Sequence, residues 1–100
     1  MAVQFTSRTV TVPLGTGNQQ IIGGATFGGG NVQSADTAIK GYFLDYGNGD
    51  HAMNRIQVST SVIEISGPFV RFIVVCQYND QGNDDPYTGI IEVLILADVA

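Results

Sequence analysis

The sequence predicts an all-β protein, an antiparallel β-sandwich or barrel of about six to seven strands. Three observations carry this reading. Outside the glycine-rich part, no segment repeats apolar residues at helical spacing for three turns. Val, Ile and Thr, which suit a pleated surface, dominate the apolar and half-polar positions. Polar, glycine-bearing turns separate apolar runs of strand length in the second half of the chain. One hundred residues suffice for one hydrophobic core, so residues 1–100 are read as a single domain.

In chain order, Thr9-Val10-Thr11-Val12 alternates as a half-buried strand does, and Pro13 then marks an edge or a strand end. Residues 9–40 carry seven glycines, and this half reads as short strands and turns, with 20–22 and 25–27 among the strands. Residues 38–46 form a strand that ends at the turn signal Gly47-Asn48-Gly49-Asp50. Residues 53–65 form a long strand, turned by Ser66-Gly67-Pro68 into a strand over 69–78. A polar loop, 79–86, leads to the last strand over 88–99. Four strands with such short connections predict an antiparallel meander.

In the third of these strands Val70, Phe72, Val74 and Cys76 share a face, and in the last Ile91, Val93, Ile95 and Ala97 do. The opposite faces are also largely apolar, with Phe69, Ile73 and Val75 on one strand and Ile90, Leu94 and Leu96 on the other. One face of an antiparallel sheet ordinarily meets water. A second apolar face therefore places these strands either deep within one subunit or against another; a chain this short has little room for a three-layer β core, which favours a homo-oligomer, a trimer or hexamer among the options.

Only 13% of residues are charged and the net charge is −5, with Lys40, Arg8, Arg55 and Arg71 the only bases. Phosphate binding needs clustered cations, so nucleic acid and anionic membrane surfaces are poor partners. The chain shows no signal peptide and no transmembrane segment, which predicts no membrane insertion. Cys76, the single cysteine, sits in an apolar run and reads as a buried hydrophobe.

In a meander the loops at 46–51 and 79–87 emerge at the same end. That end would gather Asp45, Asn48, Asp50, His51, Asn79, Asp80, Asn83, Asp84 and Asp85 with Tyr46, Tyr78 and Tyr87. Carboxylates and amides bond vicinal hydroxyls, and aromatic faces stack on the C–H side of a sugar ring. These residues are the candidate carbohydrate-binding site. The competing explanation is that Asp, Asn and Gly are simply good turn formers. Asp45, Asn48 and Asp50, or Asp80, Asn83, Asp84 and Asp85, also supply hard oxygens for calcium, although neither set matches the twelve-residue calcium loop. An enzymatic reading is weaker: His51 is the only histidine, and beside Asp50 in a glycine-flanked turn it reads as a solvated loop residue. The function expected is thus a lectin-like binding module and not an enzyme. The alternative is a self-assembling structural β protein.

An order of features supports the lectin reading. Leu44-Asp45 ends a strand, and a polar loop leads to Asn54-Arg55-Ile56-Gln57-Val58. Gly67-Pro68-Phe69 precedes an apolar strand ending in Cys76-Gln77-Tyr78-Asn79-Asp80, and a hydrophobic strand over 90–96 follows. Over about residues 38–99 this order resembles the H-type lectins, the snail agglutinin and discoidin C-terminal family. The resemblance implies a six-stranded β-barrel or sandwich that trimerises and binds N-acetylgalactosamine or galactose at subunit boundaries. Where that family commonly has Trp this chain has Tyr78, and it has no Trp at all. The loop at 79–86 is also similar to the Asp/Asn-rich calcium loop of the small bacterial fucose-binding lectins.

Overall fold

The computed structural model describes residues 2–45, 53–80 and 86–100, with the backbone alone at 53–55 and 78–80. The protein is an all-β sandwich. Among the described residues there are six strands: β1 (Ala2–Gly15), β2 (Gly17–Thr26), β3 (Val32–Asp45), β4 (Met53–Ser66), β5 (Phe69–Asp80) and β6 (Tyr87–Val99). They form two antiparallel three-stranded sheets, β1-β6-β3 (sheet A) and β2-β5-β4 (sheet B). The body is a prism of 50 × 18 × 17 Å, its long axis set by strands of up to 14 residues.

The core follows the alternation seen in the sequence. Val70, Phe72, Val74 and Cys76 from β5 meet Ile91, Val93, Ile95 and Ala97 from β6, all at most 2% exposed. Val10, Val12, Ala25, Phe27, Val32, Tyr87 and Val99 complete the buried apolar set among the described residues.

The expected meander is absent. Among the described strands only β4 and β5 form a hairpin, through Gly67 at φ +58°. The connections β3–β4 and β5–β6 pass from one sheet to the other. The reason lies in the doubly apolar last strands: β5 and β6 are each the central strand of their own sheet, not neighbours in one. Side chains of flanking strands shelter their outer faces, so Ile73, Val75 and Leu94 are half-buried while Leu96 and Ile90 stay exposed.

The glycine-rich half also differs from expectation. In place of several short strands it makes two long ones and the start of β3. β1 pairs with β6 residue for residue from Ala2↔Val99 to Val12↔Gly89, and the register shifts only around Pro13, on a sheet edge. β2 pairs with β5 without interruption from Gly17↔Tyr78 to Thr26↔Phe69. Glycine weakens a strand by leaving nothing to pack. Here the gaps are filled from β5: the Phe72 ring lies against Gly23 and the Phe69 ring against Gly24. Positive φ at Gly17 (64°) lets the chain change sheets across Thr16 alone.

Candidate functional site

The strand registers bring three connections to one end of the sandwich. Asp45 at the end of β3 pairs with Thr88, and Met53 at the start of β4 pairs with Asp80. Gly17 pairs with Tyr78 and Gly15 with Tyr87. The anchors of both polar connections therefore share this end with the β1–β2 turn. The opposite end holds the β4–β5 turn, residues 27–31 and the paired residues Ala2 and Val99. The shared end arises from sheet-to-sheet crossings and not from a meander.

Of the candidate site residues, Asp45 is the exposed last residue of β3. Tyr78, Asn79 and Asp80 are the last three residues of β5. Tyr46, Asn48, Asp50, His51, Asn83, Asp84 and Asp85 lie outside the described residues.

Tyr87 is a correction. It is 0% exposed and so offers no face to a sugar. As the first residue of β6 it begins the inward-facing series that continues through Gly89, Ile91 and Val93. Its hydroxyl donates to the Gly17 carbonyl at 2.6 Å and lies 3.3 Å from the Cys76 carbonyl and 3.7 Å from the Cys76 Sγ. A hydroxyl has one proton, and the shortest contact takes most of it. The ring thus fastens the start of β6 to the start of β2 and the end of β5, beneath the loop end. Cys76 is buried as expected. Burial pushes its thiol pKa up, against a smaller lowering by the Tyr87 hydroxyl, so the sulfur is a neutral packing atom rather than a nucleophile.

The structure adds residues that the sequence reading passed over. On the outer surface of sheet A at this end lies an open depression of about 380 Å³, floored by Phe43, Ile90 and Leu14. Thr11, Thr88 and Asp45 stand at its polar margin. Phe43 is 65% exposed and Leu14 69% exposed. Phe43 and Asp45 are two apart on one strand, paired with Ile90 and Thr88, so they share a face. That spacing, aromatic then carboxylate at i and i+2 before a turn, is visible in the sequence. It is obscured there because an aromatic within an apolar strand is ordinarily a core residue.

Among the described residues no group of three or more His, Cys, Asp or Glu side chains is placed to hold a metal ion. Of the residues that carry the calcium expectation, Asn48, Asp50, Asn83, Asp84 and Asp85 lie outside them. Compared with protein-family models, curated proteins and solved structures, the chain matches none.

Proposed function

We propose that this protein is a carbohydrate-binding module of lectin type, taking sugar at the end of the sandwich that carries its polar connections. The observation that supports the reading is the exposed Phe43 ring beside Asp45 and Thr88 in an open depression at that end. An exposed aromatic face with hydrogen-bonding groups at its margin suits an amphiphilic ring, which has an apolar C–H side and a rim of hydroxyls. Phe43 and Asp45 are about 6.6 Å apart along the strand, a span one pyranose bridges. Asp50 and Asp84, in the adjoining connections, are the further carboxylates of this reading.

The test is a glycan-array screen, with and without calcium, followed by titration of the best sugar. Phe43→Ala and Asp45→Asn change exposed positions and should leave folding intact. A hydrogen bond to a carboxylate contributes about 1.5–3 kcal/mol, so Asp45→Asn should weaken binding by about tenfold to a hundredfold. Asp50→Asn and Asp84→Asn should act similarly, and loss of binding on chelation would assign the contact to calcium. Unchanged affinity in all four variants would remove the site from this end.

A self-assembling structural β protein is the second reading. What favours it is the set of large apolar side chains left in water, among them Val3 at 71% and Phe5 at 74% exposed. It predicts no glycan binding by the wild type across a broad array.

A further inference from the structure

We infer that β1 is a pairing edge for a second copy of this chain, joining two copies of sheet A into one six-stranded sheet. The sandwich has four edge strands, and an edge presents backbone N–H and C=O groups that template pairing unless it is blunted. Three of the four are blunted or weak. β3 breaks register at Val32/Ser34 and again at Ile39/Gly41. β4 breaks register at Met53/Arg55 and at Val62/Glu64. β2 is the shortest strand, at ten residues, and three of them are glycine, which gives a partner little to pack against.

β1 keeps a clean edge over residues 2–6. Residues 2–12 run in unbroken register with β6, and Pro13 with its register shift comes only at the far end. Its one charge, Arg8, lies on the inward face opposite Val93 and bonds the Thr6 hydroxyl at 3.1 Å and the Ser7 carbonyl at 2.9 Å, so it blunts the edge only from residue 7 onward. The chain carries nine acidic residues and none is in β1, so a copy can approach this edge without meeting carboxylates. Identical strands paired antiparallel are related by a two-fold axis, so the edge is complementary to itself.

Side chains give the second reason. Val3 and Phe5 alternate on the outer face of β1, and Phe5 is paired with Leu96 on β6. With the two-fold axis at Gln4, edge pairing sets Val3 of each copy opposite Phe5 of the other, so two such clusters lie side by side across the axis. Each then covers part of the other, which a lone subunit cannot do. Aromatic–β-branched pairs across antiparallel strands are among the favourable cross-strand contacts. The dimer leaves Phe43 and Asp45 open, because they lie on β3, the opposite edge of sheet A. The inference therefore does not depend on sugar binding.

Sedimentation of the full chain at micromolar concentration should give the mass of a dimer. Phe5→Lys alters a side chain that is 74% exposed, so the fold should survive it. Two lysines at the axis repel, and the dimer dissociation constant should rise by at least tenfold. Ile22→Lys, at a position 60% exposed on sheet B, is the control and should leave the mass unchanged. Hydrogen exchange distinguishes an edge from a face: alternate β1 amides should gain protection as concentration rises, while those of β3 and β4 do not. A monomeric wild type, an undisturbed Phe5→Lys dimer, dissociation by Ile22→Lys, or a dimer whose β1 amides exchange as in the monomer would each overturn the inference.

Discussion

Tyr87 shows how one residue can be misassigned by its neighbourhood in sequence. It follows an Asp/Asn-rich stretch and Pro86, so it reads as part of a polar loop, yet it opens an inward-facing strand and is fully buried. The hydroxyl serves the fold by satisfying the Gly17 carbonyl at 2.6 Å. Tyr87→Phe keeps the ring and strands that carbonyl. It should destabilise the protein by about 1–3 kcal/mol in a urea titration, while any sugar affinity stays as in the wild type. Cys76 adds a pH dependence. Its folded pKa is raised by burial, so the stability linked to the neutral thiol is fully present below the ordinary thiol value and is lost as pH climbs above it. From about pH 8.5 the unfolded chain sheds that proton before the folded one does. The urea midpoint of the wild type should therefore fall more between pH 8 and pH 10 than that of Cys76→Val. Equal falls in both would assign the alkaline loss to other groups.

At the scale of strands, the sequence is informative where alternation is clean and misleading where glycine is dense. The inward faces of β5 and β6 were legible because every second residue is apolar and the register cannot slip without exposing them. β1 and β2 were legible only as fragments, since Gly23-Gly24 reads as a break. What makes β2 one strand is not its own propensity but two rings supplied by β5, a long-range contact that local pattern does not record. This yields a prediction. A Cβ at Gly23 would come within 2.6 Å of the Phe72 ring, which is fully buried and cannot retreat. Gly→Ala ordinarily stabilises by about 0.4–1 kcal/mol when the backbone allows it, but overpacking a core costs about 1–3 kcal/mol. Gly23→Ala should therefore destabilise, and Gly23→Ala with Phe72→Leu should recover part of the loss. The two variants can be compared by thermal unfolding. Gly41, with nothing near its Cβ position, supplies the contrast in which alanine is tolerated.

At the scale of the molecule, the all-β class and the shared end of the two polar connections were both readable, the second through an incorrect topology. Each of the last strands is the central strand of its own sheet, and its second apolar face is only partly sheltered, with Ile90 and Leu96 left exposed. Sequence has no signal for which strands cross between sheets, because a crossing loop and a hairpin loop use the same residue types. The candidate site was legible in its location more than in its members: Asp45 stands there, Tyr87 does not, and Phe43 was unnoticed. The antiparallel pairing of Ala2 with Val99 carries one more consequence, a mechanical one. Residues 2 and 99 lie side by side, at the end of the prism farthest from Asp45 and Thr88. Tension applied between them runs across the strands, so it loads the β1–β6 hydrogen bonds one at a time instead of all together. The sandwich should unzip at low force when pulled by its two ends. The same molecule pulled between Ala2 and a handle at Thr88 should resist far more, because β1 and β6 must then slide past each other with their whole ladder under shear.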